Sequence, residues 1–81
     1  MTALMKGHLI AVPATKYSPA KFGKVLRVYY SKNGVMYDIS WDGGMKSSIG
    51  QNYIDWQIKV DNWTILNNEK DLLKHKLKMK V

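Results

Sequence analysis

The segment from Gly23 to Gly44 constrains the fold most, because it contains two apolar strands that are joined by a tight turn. Asn33-Gly34 predicts a two-residue type I′ turn, in which both central residues need a positive φ. In the second strand alternate residues share a face, and the apolar face carries Val35, Tyr37, Ile39 and Trp41. The first strand is apolar nearly throughout, which predicts either a bulge or cover on both sides. The sequence therefore predicts a β-hairpin with one buried face.

A first strand and a long loop precede this hairpin. Residues 7–12 read GHLIAV, and Pro13 ends the strand because proline cannot donate a hydrogen bond to a neighbouring strand. The loop at residues 13–22 contains two prolines, which limit its freedom. Tyr17 and Phe22 are expected to pin this loop to the core.

Two more strands are predicted after the hairpin. Residues 42–44, DGG, indicate a second tight turn, which leads into a strand over residues 45–49. Residues 51–53 are expected to form one helical turn. From residue 54 to residue 60 apolar residues alternate with polar ones, and this alternation predicts the fifth strand.

Five short strands, a long first loop and a single helical turn indicate a small, strongly bent antiparallel barrel. A family resemblance is carried by Gly23-Lys24-Val25, by the segment YDISWDG at residues 37–43, and by Ile49 and Ile54 around the helical turn. With these residues the chain resembles the SH3-like barrels of the Tudor and KOW groups. We expect a mainly β fold, with a five-stranded SH3-like barrel over residues 1–66 and a basic C-terminal tail over residues 67–81.

The tail supports two interpretations. From Lys74 to Lys80 every second residue is a lysine, as in an edge strand whose charges oppose aggregation. A helix is the preferred interpretation, because Asn68 is a good N-cap, acidic residues follow it and lysines fill the last turn. Leucines 73 and 77 also recur at helical spacing. Residues 63–66 are expected to form a short extended piece between barrel and tail.

The charge of the chain indicates its class of partner. The chain has 13 Lys and Arg residues against 6 Asp and Glu residues, and its net charge is +7. Such an excess predicts binding to nucleic acid, either DNA or RNA, or to an acidic protein surface. Arg27 is the only arginine, so bidentate recognition of guanine is not expected.

The absence of cysteine excludes disulfides and thiolate metal sites, and it predicts folding in the cytoplasm. No apolar run approaches the ~20 residues of a membrane span, and the N-terminus does not have the pattern of a signal peptide. We therefore expect a soluble, cytoplasmic protein without a membrane partner.

Residues that could support catalysis are few. His8 and His75 are the only imidazoles and lie far apart in the sequence, so a shared metal site is not expected. Asp38 and Asp42 share a strand face and could form a carboxylate pair. The favoured interpretation is a solvated strand face, with Asp42 capping its own turn. We therefore expect neither an enzyme nor a cofactor.

Cationic and aromatic residues on or near the central sheet predict a nucleic-acid interface. Aromatic rings stack on unpaired bases while lysines hold phosphates, and lysines alone can hold a duplex backbone. The alternative is a solvated lysine shell that maintains solubility. The predicted contact residues on the sheet, the long loop and the tail are Lys16, Lys21, Lys24, Arg27, Tyr29, Lys32, Lys46, Lys74, Lys76, Lys78 and Lys80.

The Tudor resemblance implies a second kind of site. Tudor domains hold methylated lysine or arginine in an aromatic cage by cation–π attraction. By that resemblance the cage candidates are Tyr30, Tyr37 and Trp41, with Asp42 as the countercharge. The strand alternation instead favours Tyr37 and Trp41 in the core.

Two functions are consistent with these observations. The leading hypothesis is a non-enzymatic nucleic-acid-binding β-barrel, mainly electrostatic and weakly sequence-specific. The alternative is a protein-interaction module, either a Tudor-like peptide reader or a phage-type accessory protein that binds and modulates a larger host protein or complex. Self-association as a homo-oligomer, through a sheet edge or the tail, is compatible with both.

Overall fold

The computed structural model describes residues 3–79, which form one antiparallel sheet and two α-helices. The elements in chain order are β1 (Leu9–Val12), β2 (Lys21–Ser31), β3 (Gly34–Trp41), β4 (Lys46–Gly50), α1 (Gln51–Val60), β5 (Thr64–Leu66) and α2 (Glu69–Met79). The strands lie in the order β4-β3-β2-β1-β5, and within the described residues β4 does not pair with β5. The fold is therefore mainly β and compatible with an SH3-like fold, but its sheet is open rather than closed into a barrel.

The hairpin of β2 and β3 is confirmed, but its turn differs from the prediction. Ser31 pairs with Gly34, so the two turn residues are Lys32 and Asn33. Gly34 has a φ of 104°, whereas the φ of Asn33 is not positive. This is the pattern of a type I turn followed by a glycine bulge, in which only the glycine needs a positive φ. The type I′ prediction is wrong, although the hairpin lies at the predicted place.

A bulge in β2 decides which side chains share a face. Val25 pairs with Ile39 and Arg27 pairs with Asp38, so Leu26 is the extra residue between them. Before the bulge the odd-numbered residues of β2 point to the core, and after the bulge the odd-numbered residues point away from it. Of the two alternatives that the irregular apolar pattern left open, the structure shows the bulge.

The hydrophobic core lies between the inner face of the sheet and α1. Its buried members are Leu4, Ile10, Val25, Tyr37, Ile39, Trp41, Ile54 and Trp63. Tyr37 is 1% exposed, and its hydroxyl donates a hydrogen bond to the Gln51 side-chain oxygen at the start of α1. The same hydroxyl accepts the backbone N–H of Leu4 at 3.3 Å. The core thus joins the N-terminal segment, the sheet and α1 through one side chain.

The prediction of a fifth strand over residues 54–60 is wrong, because this segment lies within α1. The buried side chains of α1 recur every three residues and are Gln51, Ile54 and Gln57. Trp56 and Val60, which the alternating pattern placed on the same face as Ile54, are 56% and 48% exposed. Glutamines occupy two of the three buried positions, so apolar residues alone do not reveal the helical period. The fifth strand is β5, within the short extended piece that was expected at residues 63–66.

The helical interpretation of the tail is confirmed by α2. The side-chain oxygen of Asn68 accepts a hydrogen bond from the backbone N–H of Asp71 at 2.9 Å, as expected of an N-cap. The helix packs against β1 and β5 on the side away from the core, and Leu9 and Ala11 on that side are 5% and 2% exposed. Neither helix, over residues 3–79, is long and apolar enough to cross a membrane.

The two aromatic residues that were expected to anchor the long loop behave differently. Tyr17 is 88% exposed, so the prediction that it pins the loop to the core is wrong. Phe22 belongs to β2 and is half-buried beneath α2, where the Lys76 ammonium lies 4.5 Å from the centre of its ring. Phe22 therefore ties α2 to the sheet rather than the loop to the core.

Candidate nucleic-acid interface

The part of the sheet that α2 leaves uncovered is the candidate interface, and we name it the open face. It consists of the side chains of β2, β3 and β4 that point away from the core. These side chains combine three cations, one carboxylate, two hydroxyls, a phenol ring and a thioether. They are Lys24, Arg27, Tyr29, Met36, Asp38, Ser40, Lys46 and Ser48.

Strand register explains why these residues meet. Lys24 pairs with Ser40, which pairs with Lys46 on its other side, so two ammonium groups flank one hydroxyl. The next row is built in the same way from Arg27, Asp38 and Ser48. Arg27 reaches this face only because the bulge shifts the alternation of β2 by one residue.

The second row is held together by hydrogen bonds around the Asp38 carboxylate. Arg27 donates to it at 2.9 Å, and the Ser48 hydroxyl donates at 2.7 Å. The Ser48 hydrogen bond keeps the pKa of Asp38 below its ordinary value of 3.8. Desolvation opposes this effect, and the charge and hydrogen bond of Arg27 lower the pKa further. The Arg27 guanidinium also lies 4.5 Å from the centre of the Tyr29 ring. Arg27 is therefore a positioned side chain whose charge is largely balanced.

Lys24 and Lys46 have a different role from Arg27. Both are exposed, and within the described residues neither forms a salt bridge with a carboxylate. Their ammonium groups are therefore available to an external anion. The first row of the open face thus carries a net positive charge, while the second row is nearly neutral.

The other predicted contact residues do not lie on the open face. Lys16 is in the long loop, Lys32 is in the hairpin turn, and Lys21 points to the core side, with its ammonium 4.9 Å from the centre of the Trp41 ring. Lys74, Lys76 and Lys78 are exposed on α2, which borders the open face through the Lys76 contact with Phe22. Lys80 lies outside the described residues.

The four candidate cage residues are not brought together by the structure. Tyr37 is 1% exposed and Trp41 is 8% exposed, because both lie in the core as the strand alternation favoured. Tyr30 is 84% exposed and pairs with Val35 near the hairpin turn, whereas Trp41 pairs with Gly23 at the other end of the same strands. The Asp42 carboxylate accepts the backbone N–H of Phe22 at 3.1 Å. A cage made of these four residues is therefore incompatible with the structure.

The histidines and carboxylates that were considered for a metal site or a carboxylate pair have separate surroundings within the described residues. Within residues 3–79 no three His, Cys, Asp or Glu side chains come together so that they could hold a metal ion. The Nδ1 atom of His8 accepts the backbone N–H of Met5 at 3.0 Å, and His75 lies on α2. Asp38 and Asp42 have separate hydrogen-bond partners, the first with Arg27 and Ser48 and the second with the start of β2.

Sequence reasoning missed the hydroxyl groups of the open face. Ser40 and Ser48 were not predicted as contact residues, because serines on a strand are not distinctive by themselves. The signal that could have found Ser40 is its position between Asp38 and Asp42 on the polar side of an alternating strand. Ser48 could not be found in this way, because its place opposite Asp38 depends on the length of the turn at residues 42–44.

Comparisons with known proteins do not assign the chain to a family. No protein-family model matches it, and neither curated proteins nor solved structures match it significantly. The chemistry of the open face is therefore the basis for a functional proposal.

Proposed function

We propose that this protein is a non-enzymatic nucleic-acid-binding protein that holds the phosphate backbone on its open face. The observation that supports this proposal most is the row of Lys24, Ser40 and Lys46, in which two ammonium groups flank a hydroxyl on three adjacent strands. Ammonium and hydroxyl groups are among the side-chain donors that contact phosphate and sugar oxygens. Their spacing across neighbouring strands suits a backbone that crosses the sheet.

Weak sequence specificity is expected from the same face. Bidentate hydrogen bonds to guanine favour a free arginine, and the only arginine donates to Asp38 and lies against Tyr29. Lysine acts as a point charge and does not discriminate between bases well. The Tyr29 ring, which is half-buried beside Arg27, offers a limited stacking surface. Affinity should therefore come mainly from electrostatics.

The fold is consistent with an SH3-like protein of the KOW type, and we include this kinship in the proposal. The support is a five-stranded antiparallel sheet in which one long, bulged hairpin forms the centre. The lysines of α2 extend the cationic surface beside the open face, because α2 covers the β1 and β5 side of the same sheet. Acidic residues are few there, and Lys74, Lys76 and Lys78 add positive charge along the helix.

The test is a titration of DNA and RNA, as duplex and as single strand, at two salt concentrations. For the wild-type protein, affinity should fall by orders of magnitude between about 50 and about 200 mM salt. The double variant Lys24→Glu with Lys46→Glu should bind more weakly. Loss of its two lysine contacts should lower the slope of log affinity against log salt by about 2, because each phosphate contact contributes about 0.9.

The matched control is Lys16→Glu with Lys59→Glu. It changes the net charge by the same amount with two exposed lysines, one in the long loop and one on α1, that do not lie on the open face. The proposal requires the control to keep the wild-type salt slope. Equal losses in both double variants would mean that only total charge matters, and no binding by the wild-type protein would reject the proposal.

A protein-interaction module is the second candidate, and a specific feature of α1 favours it. Tyr53, Trp56 and Val60 are 49%, 56% and 48% exposed and lie on the solvent side of the helix. With a net charge of +7 on the chain, a partner with an acidic surface around an apolar patch would be complementary. A pull-down from nuclease-treated lysate should then recover one stoichiometric acidic protein with the wild type but not with Trp56→Ala. Equal recovery by both would exclude this surface.

A further inference from the structure

A cavity on the core side of the sheet, at the edge formed by β4, contains a group of aromatic rings. It has a volume of about 470 Å³ and is lined by β4, by the first turn of α1 and by the side chains of Lys21, Trp41, Tyr53 and Trp63. Sites for small organic ligands usually have volumes of about 300–1,000 Å³. The cavity is therefore large enough for one such ligand, and of the open-face residues only Ser48 lines it.

Of the three rings, Trp41 and Trp63 are buried and held in place, whereas Tyr53 is accessible to a ligand. Trp63 meets Trp41 at a centroid distance of 5.7 Å and Tyr53 at 6.1 Å, with interplanar angles of 76° and 77°. Trp41 and Trp63 are 8% exposed each, so they form a floor that cannot move easily, whereas Tyr53 is 49% exposed. The indole N–H of Trp41 donates to the Ser47 hydroxyl at 3.2 Å, which fixes the orientation of the floor.

The charge of the lining excludes some ligands and favours others. Lys21 is exposed and lies 4.9 Å from the centre of the Trp41 ring, and it is the only charged residue among those that line the cavity within residues 3–79. A cationic ligand such as a methylated lysine would be repelled by this ammonium, and no carboxylate in the lining would compensate. A planar ligand that carries an anionic group fits both the rings and Lys21.

We infer that this cavity binds one unpaired nucleotide, with its base on the Tyr53 ring and its phosphate at Lys21. The inference rests on the proposed function, and it adds that the protein prefers single-stranded nucleic acid to a duplex. Aromatic stacking of this kind tolerates every base, because each base has a π-face. The nucleotide comes from a strand that also contacts the open face.

The edge strand β4 provides the route between the two surfaces. Ser47 and Ser48 line this cavity, and they also line a second cavity on the open-face side together with Lys46, Asp38 and Leu26. Within the described residues β4 has a partner only on one side, so its other edge is not covered by a strand. A single strand that leaves Lys46 can therefore pass over β4 and place its next nucleotide in the cavity.

The experiment compares Lys21→Ala and Tyr53→Ala with two matched controls, Lys16→Ala and Tyr30→Ala. Each control removes the same kind of exposed side chain from a place outside the cavity. The probes are a short oligodeoxythymidine, a DNA duplex of the same length and thymidine monophosphate, and tryptophan fluorescence reports binding. Thermal unfolding of every variant verifies that it is folded. Tyr53→Ala should lose about 10-fold in affinity for the single strand, the loss expected for one stacked base. Lys21→Ala removes the phosphate contact and should also bind the single strand more weakly, and both variants should bind the duplex like their controls.

The outcomes separate this inference from the proposed function. Wild-type protein that binds neither single strand nor duplex would overturn both. Binding by the wild type, with cavity variants that behave like their controls, would overturn only the cavity. The oligonucleotide should bind more tightly than the mononucleotide, because the strand also uses the open face, and equal affinities would instead indicate a site for a free nucleotide. Binding of a trimethyllysine peptide but not of thymidine monophosphate would also overturn the inference.

Discussion

Replacement of Gly23 by alanine should destabilise the protein, although the same change often stabilises a strand. A Cβ atom at this position would lie 2.7 and 2.9 Å from two ring carbons of Trp41 and 2.8 Å from a methyl carbon of Ile39. Ordinary carbon–carbon contacts are about 3.5–4.0 Å, so three contacts would be too short. Ile39 is 0% exposed and Trp41 is 8% exposed, so neither has space into which to move.

The expected size of the effect follows from two opposing contributions. Overpacking of a well-packed core costs about 1–3 kcal/mol, and the upper part of this range applies because both neighbours are buried. Alanine lowers the conformational entropy of the unfolded chain, which increases the stability of the folded state by about 0.4–1 kcal/mol. A net loss of about 2 kcal/mol should lower the melting temperature by about 8–16 °C in a domain of this size.

The assay is urea unfolding followed by tryptophan fluorescence, with Gly50→Ala as the matched control. Gly50 is also a strand glycine without a positive φ, but the nearest atom to its added Cβ would be the sulfur of the flexible Met36 side chain, at 3.3 Å. The control should therefore remain within about 0.5 kcal/mol of the wild type, since a weaker N-cap for α1 offsets the entropy gain. The reasoning fails if Gly23→Ala is as stable as Gly50→Ala.

Two further predictions concern the Asp38 carboxylate and the start of α2. Because hydrogen bonds from Ser48 and Arg27 hold the pKa of Asp38 below 3.8, its contribution to stability is fully present above the unfolded-state pKa and is lost as the pH falls through the lower folded-state value. Urea unfolding below about pH 4 should therefore show a steeper loss of stability for the wild type than for Asp38→Asn, and parallel curves would contradict this. Asn68→Ala removes the N-cap, the 2.9 Å hydrogen bond from the backbone N–H of Asp71 to the Asn68 side chain. It should lower the stability of α2 by about 1 kcal/mol, measured by circular dichroism, whereas Asn67→Ala should have little effect.

Much of the sheet could be predicted from the sequence, because local patterns specify it. The alternation from Val35 to Trp41 requires only that one face be buried, and both the buried face and the neighbouring hairpin strand were located correctly. The bulge was also anticipated as one of two alternatives. The turn type was not predicted correctly, because Asn-Gly is compatible with more than one turn type and the choice depends on how the two strands twist.

The error at α1 has a different origin. A short segment in which apolar residues alternate satisfies both a strand and a helix, and tertiary contacts decide between them. One such contact is the hydrogen bond between Tyr37 and Gln51, which satisfies a polar side chain at a buried position of α1. A partner that is 14 residues away cannot be recognised from the segment itself.

The candidate site was only partly accessible from the sequence for the same reason. Lys24, Arg27, Tyr29 and Lys46 were predicted as contact residues, and the register of the sheet brings them onto one face. They share one face only because of the bulge in β2, and no single residue of the sequence indicates where that bulge lies. The aromatic cavity depends on α1 being a helix, because only then does Tyr53 lie beside Trp63. A prediction of a strand in this segment therefore also concealed the cavity.

The bulge at Leu26 also decides where the length of this chain can change during evolution. Removal of Leu26 alone would straighten β2 and leave Arg27 opposite Asp38, so the pattern of inward and outward side chains would survive. Insertion of one residue between Arg27 and Tyr29 would instead turn Tyr29 towards the interior. Natural variants that differ in length within this hairpin should therefore carry the gain or loss next to Leu26, while single substitutions can spread over the whole exposed surface of the strand.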